Sequence, residues 1–120
     1  MSLQALVPVF RSWDLAATVA FYTERLGFAC EAGSAEEGWV ALRRDGIELM
    51  VSAPNAHLPE TTPAFTGSLY LRCDDVDGWW ARLRDVARVC YPLEDFPYGM
   101  REFAVFDNNG YLLQFGAPLN

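Results

Sequence analysis

Few side chains in this 120-residue chain could do covalent chemistry, and each of those stands alone. The one histidine, His57, lies in a proline-rich stretch beside Asn55 and Pro59. A single imidazole cannot build a multi-histidine metal site, and no serine–histidine–aspartate arrangement surrounds it, so His57 is expected on a surface loop. Cys30, Cys73 and Cys90 are odd in number and lack C-x-x-C spacing. They read as free, buried thiols rather than as a disulfide framework or as nucleophiles. Glu94 and Asp95 are adjacent acids. Paired carboxylates can do general acid–base work, but side by side in a loop they are more often solvated. No glycine-rich phosphate loop is present.

A second set of residues suits a different chemistry, the capture of a small molecule without a covalent step. Trp39, Tyr70, Phe96, Tyr98 and Phe106 supply aromatic surface, and Glu48 and Glu102 supply negative charge. Arg11, Arg72 and Arg101 point instead toward an anionic or carbonyl-bearing ligand, with salt bridges to Glu48 and Glu102 as the structural alternative. Val9, Met50 and Gln114 add apolar wall and an orienting amide. Apolar walls with a few polar groups are what a small-molecule site needs. The competing reading of the same face is contact with a second subunit, and both hold if the pocket lies at a dimer interface.

The elements that must position these residues are legible from an internal repeat. Val9-Phe10-Arg11-Ser12-Trp13-Asp14-Leu15 matches Tyr70-Leu71-Arg72-Cys73-Asp74-Asp75-Val76 at a shift of 61. Asp45-Gly46 to Pro54 matches Asn109-Gly110 to Pro118 at a shift of 64. In the first copy, residues 5–11 predict a strand, Asp14 caps a helix over 15–26, and Gly27 ends it. Leu15, Val19, Tyr22 and Leu26 mark its inner face, and strands follow at 28–32, 38–43 and 47–52. In the second, a strand at 67–72 leads to Asp75, which caps a helix over 76–86 with Val76, Trp80 and Leu83 inward. The other ring of the Trp79-Trp80 pair is expected at a helix–helix or dimer contact. Strands follow at 88–91, 101–106 and 111–116, and Pro92 to Gly99 is expected to be a long loop.

This is an α+β plan: two β-α-β-β-β repeats, 5–53 and 67–118, joined by a 54–66 linker within one domain. The expected result is a cupped mixed sheet with the helices on its outer face. Alternation directs Ile47, Leu49, Val51, Tyr111, Leu113 and Phe115 toward the helices. Glu48, Met50, Ser52, Leu112, Gln114 and Gly116 then face the other way, with Val7, Val9, Arg11, Ser68, Tyr70 and Arg72 from the first strands. Trp39, Ala41, Arg43, Glu102, Ala104 and Phe106 join them from the middle strands.

Composition narrows the partners. Sixteen acidic and nine basic residues give a net charge of −7, which argues against nucleic acid and mildly favours a cationic small molecule. An apolar share of 52% fits a folded domain. No apolar run approaches the roughly 20 residues of a spanning helix, and no signal-peptide pattern is visible, so no membrane partner and a cytoplasmic location are expected. Unpaired cysteines fit the same compartment.

Two motifs carry a resemblance. Phe21-Tyr22-Thr23-Glu24-Arg25-Leu26-Gly27-Phe28 and the closing run from Tyr98-Gly99-Met100 through Asp107-Asn108-Asn109-Gly110 to Gln114-Phe115 resemble the signatures of the vicinal oxygen chelate superfamily. That group includes glyoxalase I, bleomycin resistance protein and extradiol dioxygenases. The resemblance covers nearly the whole chain and speaks to fold more than to function. It implies that, in the metalloenzymes, the metal ligands occupy the positions of Val7, Met50, Ser68 and Gln114. These offer no imidazole or carboxylate, so no metal and no cofactor are expected. The departure resembles the bleomycin-resistance-like members, which are metal-free dimers that sequester a cationic aromatic drug; that resemblance implies stacking on Trp39, Tyr70, Phe96, Tyr98 and Phe106 and charge contact with Glu48 and Glu102. The expectation is therefore a homodimeric, metal-independent binding protein. The alternatives are a metal-dependent lyase, isomerase or dioxygenase built on Glu48, Glu102 and Gln114, or a hollow filled by its own side chains.

Overall fold

The computed structural model describes residues 1–57 and 62–119, so residues 58–61 of the expected linker lie outside it. The chain divides into two compact units, Met1–Pro63 and Ala64–Asn120. In the first, strand β1 is Val9–Arg11, helix α1 is Leu15–Ala20, and strands β2 (Ala29–Ser34), β3 (Trp39–Arg44) and β4 (Ile47–Ser52) follow. In the second, β5 is Leu69–Arg72, α2 is Val76–Leu83, and β6 (Arg88–Asp95), β7 (Met100–Phe106) and β8 (Leu112–Pro118) follow. Each unit is a β-α-β-β-β repeat, and the sheets run β1-β4-β3-β2 and β5-β8-β7-β6. The first strand of each is parallel to the last and the remaining pairs are antiparallel. The fold class is α+β, as the repeat predicted.

The helices start where the acids place them. Asp14 accepts a hydrogen bond from the Ala17 amide, and Asp75 from the Gly78 amide, each at 3.0 Å. Each side chain satisfies an amide that the first helical turn leaves without a partner. The α1 segment is shorter than the expected 15–26: after Ala20 the chain widens into a π-helical turn over Phe21–Arg25. Thr18 is buried in place of Val19 on its inner face, with Leu15, Tyr22 and Leu26. Gly27, at φ 75°, takes the left-handed conformation that lets the chain leave the helix.

In the second unit the core is a stack of rings. Phe103 and Phe115 are partners across β7 and β8, with centroids 5.0 Å apart and planes at 5°. Trp80 lies 5.2 Å from Phe103, and Trp79 lies 5.2 Å from Phe115. Both indoles of α2 thus pack on their own sheet, and each stays half-buried. Leu83 and Leu113 close this core.

Several expected bounds change for identifiable reasons. The 5–11 strand shrinks to three residues, because pairing with β4 begins at Val9 opposite Met50 and Pro8 contributes only its carbonyl, to the Met50 amide at 2.9 Å. The 76–86 helix ends at Leu83. Ile47 is exposed rather than packed under a helix, since it borders the Asp45-Gly46 turn. The first half of the expected Pro92–Gly99 loop is strand: β6 continues to Asp95, and the tight turn from Phe96 to Gly99 separates it from β7. Pro92 is accommodated by a register shift between Tyr91 and Glu94. Cys30 and Cys90 are exposed on the edge strands β2 and β6, not buried. The Cys73 thiol is pushed up by burial and by Asp74 and Asp75, away from nucleophilic character.

Candidate functional site

Alternation gives each sheet one face toward its helix and one away from it. In the first unit the second face carries Val9, Met50 and Ala41 in one cross-strand row, and Arg11, Ser52 and Trp39 in the next. Arg11 donates to the Ser52 hydroxyl at 3.1 Å. Glu48 is held by Arg43 at 2.7 Å, and Arg43 also meets Glu31 at 2.9 Å, so an internal cation already answers the Glu48 charge.

The equivalent rows of the second unit are Tyr70, Gln114, Ala104 and Tyr91, then Arg72, Gly116, Glu102 and Glu94. Here the polar residues form one connected cluster. Ser68 Oγ donates to Gln114 Oε1 at 2.6 Å, and Gln114 Nε2 donates to the Tyr91 hydroxyl at 3.0 Å. Tyr91 donates to Glu102 Oε2, and Tyr70 donates to Glu102 Oε1 at 2.8 Å. Tyr98 is a third donor to the same carboxylate. Glu102 is 1% exposed, yet the rings that cover it are open to solvent: Tyr70 is 40% and Tyr98 62% exposed. Phe96 stacks on Tyr98 at 5.4 Å and meets Tyr91 edge-on at 5.6 Å.

The electrostatics suit a fixed negative charge. Burial pushes the Glu102 carboxyl up, and the hydrogen bonds from Tyr91, Tyr70 and Tyr98 more than reverse this, leaving it below its ordinary value. The phenols move the other way. Tyr70 is pushed up to about 12 by burial, by its bond to Glu102 and by the Glu102 charge. Tyr91 rises for the same reasons against the opposing Gln114 bond. A carboxylate made less basic and phenols made less acidic are poorly matched for proton transfer near neutrality.

Gly116 is what lets Tyr70 reach Glu102. A Cβ at Gly116 would lie 2.1 Å from the Tyr70 hydroxyl and 2.8 Å from its ζ carbon. Gly116→Ala should therefore swing the ring off the carboxylate, at about 1–3 kcal/mol for the lost charged hydrogen bond. Urea unfolding will measure that loss, and ultraviolet titration should show the Tyr70 phenol falling back toward 10.0. An unchanged titration would break the link.

Of the sequence-expected residues, Tyr70, Phe96, Tyr98, Glu102 and Gln114 come together here, and Phe106 lies further along the same face of β7. Arg72 is exposed on the Glu102 row, two strands across. Val9, Arg11, Trp39, Glu48 and Met50 belong to the first unit's sheet. Arg101 does not join Glu102: it points to the helix side, where Asp77 and Asp95 hold it at 2.8 Å each. The expected arginine pairings with Glu48 and Glu102 are thus replaced by Arg43–Glu48 and by Arg101 with two aspartates. Plain alternation misses Tyr91, because it sets this residue on the same side as Val89. The extra residue, Cys90, flips that parity. A matching bulge after Cys30 in β2 is the repeat-level signal that could have found it.

A family profile described as Glyoxalase/Bleomycin resistance protein/Dioxygenase superfamily matches residues 7–115. Among solved structures, the chain is similar to a bleomycin resistance determinant encoded on the transposon Tn5, at 28% identity and TM-score 0.76, covering 97% of this chain and 98% of that one. It is also similar to a bleomycin-binding protein from bleomycin-producing Streptomyces verticillus complexed with copper(II)-bleomycin, at 25% identity and TM-score 0.71, covering 98% of each. A lactoylglutathione lyase from Agrobacterium tumefaciens shares the fold at 20% identity and TM-score 0.73, covering 98% of this chain and 96% of that one. No curated protein sequence matches the chain.

Proposed function

The chain belongs to the Glyoxalase/Bleomycin resistance protein/Dioxygenase superfamily, and from that premise we propose that it binds and sequesters a small organic ligand without a metal. The ligand class is a cationic aromatic molecule. One observation carries this: the Glu102 carboxylate is buried with phenol donors instead of a cation, beneath the exposed rings of Tyr70 and Tyr98. Hydroxyl donors spread the negative charge but do not cancel it, and the exposed faces of the same rings carry their own negative potential. A flat cation satisfies both. The similarity to two bleomycin-associated proteins at 25% and 28% identity supports the same reading.

The residues do not fit a divalent ion. Val7 has no donor, and Ser68 and Gln114 turn their polar atoms toward each other and toward Tyr91. Both Glu102 oxygens already accept phenol hydrogens. Among the described residues, no three of His, Cys, Asp and Glu gather as ligands. We place the protein in the cytoplasm as a homodimer, with the ligand near the interface between copies. The exposed apolar side chains of Leu3, Leu6 and Val9 are surface that such a dimer would cover.

Calorimetric titration with bleomycin and with N-methylquinolinium, on protein purified without chelator and analysed for metals, tests the proposal. Saturable binding by metal-free protein is expected. Tyr98→Ala should weaken it about tenfold, the worth of one lost stacking and cation–π contact. Stoichiometric transition metal, or no binding of either cation, overturns it.

A further inference from the structure

The β6–β7 ladder carries opposite charges at its two ends, on the face away from α2. At the hairpin end Glu94 and Glu102 are cross-strand partners, with Phe96 and Tyr98 beside them. At the other end Arg88 and Phe106 are partners, and the Arg88 guanidinium lies over the Phe106 ring, 4.2 Å from its centroid. Arg88 is exposed, and no ion pair is described for it. Between the two ends Ala104 is buried, and the Gln114 amide reaches the Tyr91 hydroxyl at 3.0 Å across it, so a ligand that spans the ends lies over those two side chains. Phe106 is four residue steps along the strand from Glu102, a span of about 13 Å.

We propose that this face takes an elongated dipolar aromatic molecule, its cationic ring at Glu102 and Tyr98 and a carboxylate or similar anion at Arg88. The proposal rests on the cation-binding reading above and extends it to the other end of the ligand. A guanidinium stacked on a ring keeps its N–H donors at the rim, where they match a carboxylate side by side. Arg72 fixes which way the ring must lie. It stands across Gly116 from Glu102, about 10 Å away at two strand spacings, and would repel a cation placed toward β5. The head therefore lies on the β6 side, next to Glu94, in line with Arg88. A protein of net charge −7 has little general affinity for anions. A specific gain from an anionic tail would therefore report on Arg88.

Three quinolinium probes test this by fluorescence titration: N-methylquinolinium, a quinolinium whose N-alkyl chain ends in a carboxylate about 13 Å from the ring, and the methyl ester of that acid. The acid should bind about fivefold more tightly than the ester at low salt. High salt should shrink that ratio, since an exposed pair is screened. Arg88→Gln should bring the two probes to equal affinity, whereas Arg72→Gln should tighten all three. Equal binding of acid and ester to the wild-type protein overturns the dipolar assignment while leaving cation binding in place, and the salt series needs no variant to show it. Failure of all three probes to bind overturns the cation site as well.

Discussion

Phe103→Ala should cost the protein about 3–5 kcal/mol, enough to remove a large part of an ordinary domain's stability. Phe103 is fully buried, stacks on Phe115 at 5.0 Å and receives Trp80 at 5.2 Å. The two large rings that pack on this position cannot collapse into the space left by an alanine, because their backbones are fixed by the β7–β8 ladder and by α2. The penalty then combines the lost transfer energy with an unfilled cavity. Phe103→Leu, which keeps most of the volume, should recover more than half of it. Urea unfolding followed by tryptophan fluorescence reads both, since Trp80 reports the same contact. A loss below about 1 kcal/mol would mean that the ring stack is not the core of this unit.

The sequence exposed the repeat, and with it the succession of elements in each half, because the two capping aspartates and the two hairpin turns recur at nearly one spacing. Local signals of that kind depend on a few residues and survive without knowledge of packing. The π-helical turn after Ala20 and the extension of β6 through Pro92 were not legible for the opposite reason. A proline reads as a strand breaker unless a bulge frees it from the ladder, and bulges follow from pairing, which involves distant residues.

The same limit shaped the candidate site. Tyr70, Glu102 and Gln114 could be assigned to one face by parity along unbroken strands. Tyr91 and Arg88 could not, since Cys90 shifts β6 by one residue and turns Tyr91 to the face of Glu102. Arg101 stands beside Glu102 in sequence, but its parity on β7 directs it to Asp77 on α2. The halves also differ in a way the repeat concealed. Where the second has Tyr70, Gln114, Tyr91 and Glu102, the first has Val9, Met50, Ala32 and Trp39 at matching register positions. One half keeps an apolar version of the surface, and the polar cluster belongs to the other alone.

Glu102→Ala should destabilise the protein by about 2–4 kcal/mol, because it strips the acceptor from three phenols and leaves Tyr91 half-buried without its main partner. Glu102→Gln keeps an acceptor oxygen and should lose about half as much. The pH dependence separates charge from shape. The folded-state value of Glu102 lies below its ordinary 4.5, so its contribution is complete above that pH and is lost as acid takes the carboxyl through the lower folded value. Tyr70 works from the other side: with its value raised from 10.0 to about 12, its contribution is complete below pH 10 and declines as the pH climbs from 10 toward 12. In Glu102→Gln the acid-side decline should flatten. The alkaline decline should weaken too, as the charge that helps hold the phenol proton is gone and a neutral amide oxygen accepts the phenol hydrogen more weakly than a carboxylate. Melting temperature against pH for the two proteins, with phenolate absorbance followed in parallel, measures both flanks. If the variant keeps the wild-type profile on both sides, the tyrosines do not hold the Glu102 charge, and the cluster is not the anionic platform that a flat cation would need.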